Sequence, residues 1–298
     1  MPQAGFVLLD GRCVLAVTGE DRFTFLQGLV SNDVNRVAPE RAVYAALLTA
    51  QGKYLHDFIM AGAGGAIWLD CEAARLADLK RRLSIYRLRA KVALEELPDL
   101  AIAAVFGDGT PAALGLPAEP GSARPYGSGV ALIDPRLAAL GARVILARTE
   151  IRAKLEAAGL SETDFAAYDR HRLALGIADG SRDLVVEKSI LLESGFDELN
   201  GVDWQKGCYI GQELTARTKY RGLIKKRFFP VRIAGPAPQP GSPVTLDGKE
   251  AGEMRSSSAG FGLALLRLDA VAGDRPLEAG AARLSPLRPD WMRLDPAE

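Results

Sequence analysis

Histidine and cysteine are scarce in this chain, with two histidines and three cysteines in 298 residues. Cys13, Cys71 and Cys208 are far apart and no two form a CxxC pair. An odd, sparse set of this kind excludes a disulfide framework and points to a reducing compartment. None of these residues has metal-ligand spacing, so no metal site is expected. Net charge is missing too, because 37 basic and 37 acidic residues cancel. That balance excludes a surface wholly given to nucleic acid or anionic membrane, and neither is expected as a partner. No uninterrupted apolar run approaches the ~20 residues that span a bilayer. Met1-Pro2-Gln3-Ala4-Gly5 lacks the basic-then-apolar order of a secretory signal. The expectation is a soluble, cytoplasmic protein.

What is present is an ordinary globular composition, 48% hydrophobic and 25% charged, at a length that suggests about two domains. Phe6 to Leu9 and Cys13 to Val17 read as a hairpin across Asp10-Gly11. A helix from about Glu20 to Val30 follows, with Phe23, Leu26 and Val30 on one face. Three strands are expected at Ala42 to Leu48, Tyr54 to Met60 and Ala66 to Cys71, with Gln51-Gly52-Lys53 as one turn. Glu72 to Arg89 has helical period. Leu76, Leu79, Leu83 and Tyr86 share one side, and Lys80, Arg81, Arg82, Arg87 and Arg89 make the other basic.

Gly107 to Pro135, rich in Gly, Pro and Ala, reads as an irregular loop between strand-like runs at Leu100 to Phe106 and Arg143 to Ala147. Helices are expected from Thr149 to Gly159 and from Ser161 to near Gly176, the second with Asp164 placed as in a capping box. Beyond Arg227 short β-type runs alternate with Pro-Gly and Asp-Gly turns, the texture of a small barrel or sandwich. The organisation expected is α+β, with residues 1–221 before a boundary near Gly222 and a β domain over 222–298 that ends in a Pro- and Ala-rich, mobile tail from Arg275.

Chemistry concentrates at Lys206-Gly207-Cys208-Tyr209-Ile210-Gly211-Gln212-Glu213. A lone cysteine is commonly a small buried hydrophobe. Here Gly207 and Gly211 let the backbone bend tightly around the thiol. Gln212 to Arg217 reads as a helix, placing Cys208 just ahead of its unpaired amides, and Lys206 and Arg217 add positive charge. All three favour a thiolate. A cysteine hydrolase would need a general base, and neither His56 nor His171 has a recognisable hydrolase setting.

A run of cations follows the motif: Arg217, Lys219, Arg221, Lys225, Lys226 and Arg227. It reads either as a solvated face or as a site for an anionic small molecule. In Tyr54-Leu55-His56-Asp57, strand alternation places Leu55 and Asp57 on one face and His56 on the other. An inward acid is costly unless paired or functional; a hairpin with a solvated polar face is the alternative.

Lys206 to Glu213 matches in full the K-G-C-Y-x-G-Q-E signature of the YgfZ family, relatives of the Iba-type iron–sulfur assembly factors and of the glycine cleavage T-protein. Phe25-Leu26-Gln27-Gly28-Leu29 with Ser31-Asn32-Asp33-Val34 resembles the family's N-terminal block. Gly241-Ser242-Pro243-Val244 and Gly262 to Arg267 resemble its terminal barrel. The resemblance implies a T-protein-like folate-binding region of two α+β subdomains plus a small C-terminal β-barrel, arranged around a channel that takes tetrahydrofolate. It also implies a role in making or repairing iron–sulfur enzymes, with client or assembly proteins as partners. Cys208 is carried over as the functional thiol. Asp57, Asn32, Lys206, Tyr209, Gln212, Glu213 and Arg217 are carried over as residues of the folate site and its surroundings.

Two departures from the T-protein stand out. Its paired acids correspond to His56 and Asp57, and its pterin-recognising glutamate falls at Ala174 in Arg172-Leu173-Ala174-Leu175-Gly176. Both weigh against the alternative, a folate-dependent aminomethyl transferase or demethylase, and against glycine cleavage.

Overall fold

Asp10 and Gly11 do turn the chain, yet the strands they join do not pair with each other. In the computed structural model, which describes residues 4–222, 224–273 and 275–293, β1 (Gly5–Leu8) and β2 (Arg12–Thr18) enter different sheets. The expected hairpin is therefore corrected: a turn signal fixes a reversal, whereas pairing is decided by distant partners. Residues 1–3 and 294–298, read above as signal-free start and tail end, lie outside the described residues.

The chain divides into two compact units. The first comprises residues 1–48, 55–165 and 200–210. In chain order its elements are β1, β2, α1 (Arg22–Gln27), β3 (Val43–Leu48), β4 (Tyr54–Ala63, whose first residue belongs to the other unit), β5 (Ala66–Glu72), α2 (Leu76–Arg87), β6 (Ala93–Glu96), β7 (Leu100–Phe106), α3 (Thr110–Leu114), β8 (Ala123–Tyr126), β9 (Gly129–Ile133), β10 (Ala142–Ala147), α4 (Ile151–Ala157) and β11 (Ser161–Glu162). One sheet has the order β3-β4-β5-β2-β6, the other β11-β1-β7-β10-β9-β8.

β3 is buried throughout, as are the first eight residues of β4. Strands covered on both faces carry apolar runs rather than alternation, which explains Val43 to Leu48. The second sheet buries Phe6, Val105, Ile133, Val144 and Leu146 against Ile151 and Leu155 of α4.

Several boundaries differ from expectation. α1 is one short helix ending at Gln27, and Gly28 serves as its C-cap. α2 buries Leu79 and Leu83, while Tyr86, expected on that face, is exposed. Residues 107–135 are not an irregular loop: they form α3 and the β8–β9 hairpin. Gly129 there could not be another residue, since a Cβ would lie 1.9 Å from the Ile145 carbonyl oxygen. Ser161 pairs in β11 and does not open a helix.

The second unit comprises residues 49–54, 166–199 and 211–298. Its helices are α5 (Phe165–Ala174), whose first residue belongs to the other unit, and α6 (Gln212–Tyr220). The strands β12 (Lys226–Ala234), β13 (Pro243–Leu246), β14 (Lys249–Ser258), β15 (Phe261–Arg267), β16 (Leu277–Ala279) and β17 (Ala282–Pro286) close into a barrel of order β12-β15-β14-β13-β16-β17. Phe229, Val231, Met254, Leu266, Leu277 and Leu284 fill it, and closure leaves no free sheet edge. The segment from Arg275, expected as a tail, supplies two barrel strands over its described part.

Candidate functional site

The segment before Cys208 is held by a buried ammonium. Lys206 Nζ donates to the carbonyls of Gln27 (2.9 Å), Val30 (2.6 Å) and Asn32 (2.8 Å). An ammonium has three donors, so all are spent on one loop. The charge also sits 5.1 Å from the Tyr209 ring centroid, within cation–π range. Burial pulls the Lys206 pKa down to about 8, opposed by the charges of Asp33 and Asp203. Asp203 Oδ1 accepts from the backbone amides of Gln205 (2.7 Å) and Lys206 (2.9 Å). After the cysteine, Tyr209 is buried and the Ile210 amide donates to the Gly28 carbonyl at 3.2 Å. Between these anchors Gly207 and Cys208 are exposed. The thiol is thus presented to solvent on a loop pinned at both ends.

The loop that Lys206 grips shapes a cleft in the same unit. Asn32, buried, donates through Nδ2 to the carbonyls of Tyr44 (2.8 Å) and Asn200 (2.7 Å), and its Oδ1 accepts from the Asp33 amide (2.8 Å). Both amide hydrogens are committed, so Asn32 frames the cleft and has no donor for a ligand. Asn200 holds φ +56°, a left-handed conformation that asparagine tolerates, and its own amide donates to the Pro135 carbonyl at 3.1 Å. The cleft, of about 270 Å³, is lined by Asn32, Tyr44 and Asn200, with Arg36, Arg41 and Glu119 among its charged residues. Arg36 is 3.4 Å from Asp203.

Asp57 is buried and does not line the cleft. It accepts from the Tyr44 hydroxyl at 2.9 Å. Burial, then the nearby Asp57 charge, raises the Tyr44 pKa well above its usual value, although Arg136 opposes this. The phenol therefore stays protonated and serves as donor. The acid expected to need a partner has one.

His56, on the opposite face, is equally buried, and its Nε2 lies 2.9 Å from Asp78 Oδ2. Burial, then the Arg75 charge, lowers the His56 pKa to about 4. A solvated polar face is thereby replaced by two buried ones.

Gln212, Glu213 and Arg217 belong to α6 in the second unit, where Glu213 and Arg217 are exposed and Gln212 is half-buried. Gly211 caps that helix at φ +82°, so Cys208 stands three residues ahead of the N-cap. The cation run is not one surface. Arg227 is buried and donates to Glu198 (2.6 Å) and the Arg293 carbonyl (2.8 Å), and Lys219 pairs with Asp197. Ala174 is half-buried on α5 beside the buried Arg172. Sequence reasoning missed Tyr44, Asn200, Arg36 and Arg41. Only a pairing across 168 positions brings Asn32 and Asn200 together, and no local signal marks it.

Residues 225–294 match the family described as CAF17, C-terminal beta-barrel domain. The chain is 36% identical over 306 residues to the mitochondrial iron–sulfur cluster assembly factor IBA57 of Mus musculus, covering 95% of this chain and 84% of that protein. It is likewise 36% identical over 304 residues to the Homo sapiens protein of the same name, with the same coverages. In three dimensions it resembles the glycine cleavage system aminomethyltransferase T of Bartonella henselae, with TM-score 0.78 and 15% identity over 95% of this chain and 84% of that one. At that identity the likeness establishes the fold: α+β with a C-terminal closed barrel. The expectation of a cytoplasmic protein is corrected, because these relatives are named as mitochondrial. Unpaired cysteines report a reducing environment without saying which compartment provides it. Among the described residues no helix is long and apolar enough to cross a membrane.

Proposed function

The chain belongs to the IBA57 family of iron–sulfur cluster assembly factors, and on that premise we propose that it is a tetrahydrofolate-binding accessory factor in the assembly or repair of iron–sulfur clusters, acting through Cys208. The signature Lys206 to Glu213 supports placing it with the YgfZ members. The observation that carries the reading is the exposed Cys208 between two buried anchors, Lys206 and Tyr209. A thiolate is the usual protein ligand of cluster iron, and fixing the loop on both sides removes ordering cost from its encounter with a cluster. Among the described residues no group of three or more His, Cys, Asp or Glu could hold a metal ion. A cluster met by Cys208 would take its other ligands from a partner protein.

A partner needs a surface. The end of α2 exposes Ile85, Tyr86 and Leu88, the last 89% accessible, amid the exposed Arg81, Arg87 and Arg89. Apolar anchors ringed by arginine suit an acidic protein surface.

The cleft of the first unit fits the folate expectation in chemistry. Arg36 and Arg41 offer guanidinium forks for the carboxylates of a glutamate tail. Tyr44 offers a ring beside a fixed hydroxyl, and Asp57 holds that hydroxyl in place. A volume of about 270 Å³ is near the lower end of ligand pockets, about 300–1,000 Å³, enough for part of the molecule. Tetrahydrofolate, when bound, supplies a carrier for one-carbon units. Asn32 and Lys206 contribute by shaping the cleft wall.

Two measurements test this. Deleting the protein should lower iron–sulfur enzyme activities, and Cys208→Ser should fail to restore them; full rescue by the serine variant refutes the thiol role. Calorimetric titration with tetrahydrofolate should show saturable binding, and no heat at high micromolar ligand removes the folate claim.

A further inference from the structure

Two of the three cysteines, excluded as a framework by their spacing, meet across a sheet. Cys13 of β2 and Cys71 of β5 stand directly opposite in the antiparallel register, between the pairs Arg12–Glu72 and Val14–Asp70. Residues so paired point to the same face, with Cα atoms about 4.5–5.5 Å apart, inside the range of about 4.4–6.8 Å that a disulfide spans. The sulfurs are 3.7 Å apart, and each also lies 3.7 Å from the other residue's carbonyl oxygen. Cys13 is half-buried and Cys71 is buried. The contact with the Cys71 thiol pulls the Cys13 pKa down, burial opposes this, and Arg12 assists; Cys71 is held well above the ordinary value. One sulfur is thus the reachable nucleophile, and the other waits behind it.

We propose that Cys13 and Cys71 form a reversible dithiol–disulfide site whose oxidant is a low-molecular-weight disulfide of the glutathione class. Cys13 Sγ, as thiolate, attacks one sulfur of the small disulfide; that S–S bond breaks and one thiolate leaves, taking up a proton. A mixed disulfide now joins Cys13 to the other half. Cys71 gives up its proton and attacks Cys13 Sγ, forming the Cys13–Cys71 bond and expelling the second small thiol. The protein loses two electrons and two protons, and the small disulfide becomes two thiols. The burial of Cys71 and the half-burial of Cys13 favour a small oxidant over a protein one. The site is independent of the role assigned to Cys208.

The test uses the full chain carrying Cys208→Ser, equilibrated natively in glutathione/glutathione disulfide mixtures, acid-quenched, alkylated in denaturant and weighed intact. Alkylation should fall from two groups to none with no retained glutathione, and a digest should contain the Cys13–Cys71 cross-linked peptide. Conversion should need a disulfide-to-thiol ratio at least about tenfold lower than in denaturant, because the fold supplies a high effective concentration. Adding Cys71→Ser should stop the reaction at one glutathione on Cys13. Persistence of both alkylatable thiols at every ratio, or arrest of the Cys208→Ser chain at a Cys13 adduct, overturns the proposal. If a serine variant does not fold, peptide mapping of the unsubstituted chain in the same buffers separates the cross-linked peptide from the two alkylated ones.

Discussion

At the scale of single residues, two buried bases have opposite work. Lys206 exchanges water for three carbonyls, and hydrogen bonds to a charged group contribute about 1.5–3 kcal/mol net. Lys206→Met keeps the stem and leaves those carbonyls unmet. It should lower unfolding free energy by at least about 2 kcal/mol in urea titration, and the same variant should loosen the loop carrying Asn32. His56 works through its neutral form. Its folded pKa of about 4 lies below the ordinary 6.5, so between those values the unfolded chain binds more protons. Stability then rises with pH across that window and is lost as pH falls through it. At about 1.4 kcal/mol per unit, the loss reaches about 3 kcal/mol near pH 4. Asp78 extends the trend: burial pushes its carboxyl up, but hydrogen bonds from Arg82, Arg81 and His56 hold it well below its usual range. Thermal unfolding from pH 7 to 4 should show a falling Tm that His56→Gln flattens above pH 4; an unchanged slope would refute the assignment.

At the scale of elements, α6 and α5 are each held by one demanding position. Gly52 has φ +76°, and a Cβ there would lie 2.7 Å from the Gly211 carbonyl oxygen and 2.6 Å from Leu214 Cβ. The turn therefore lies against the start of α6. Gly52→Ala adds left-handed strain of about 1–2 kcal/mol to a backbone clash. The variant should lose at least that much stability and weaken amide exchange protection at Thr215 and Ala216. On α5, Arg172 is enclosed by Asp169 (2.6 Å), Asp183 (2.7 Å), the Ile177 carbonyl (2.9 Å) and Ser256 of β14 (3.0 Å). Removing one member of a buried pair costs about 3–5 kcal/mol, so Arg172→Met should lower the unfolding free energy by that order in urea titration.

Elements were legible where period or turn chemistry acted locally: β3 to β5, α2, and the barrel strands β12, β13 and β15. They were hidden where partners lay far away. Residues 107–135, rich in glycine, proline and alanine, carry little period, yet β9 is ordered by pairing with β10. β1 and β2 looked like a hairpin because nothing in ten residues says which sheet each will join. The candidate site divides the same way. Cys208 and its glycines announced themselves in eight residues, whereas Tyr44 became visible only when strand neighbours brought its hydroxyl to Asp57.

At the scale of the whole molecule, separate groups carry separate tasks, and they should fail separately. Arg41 lines the cleft and Cys208 does not. Arg41→Ala removes one guanidinium from a site for carboxylates, where each charge-assisted bond contributes about 1.5–3 kcal/mol. Tetrahydrofolate should then bind about ten- to a hundredfold more weakly, while alkylation of the exposed Cys208 proceeds at its former rate. Cys208→Ser should do the reverse, retaining folate affinity within error and losing support of iron–sulfur enzymes in a deletion background. Calorimetry and enzyme activities on the same two variants decide the matter. If Cys208→Ser weakens folate binding as much as Arg41→Ala does, the thiol belongs to the ligand site and the division of labour is wrong. If Arg41→Ala leaves affinity untouched, the anionic tail is held elsewhere and this cleft is not the folate site.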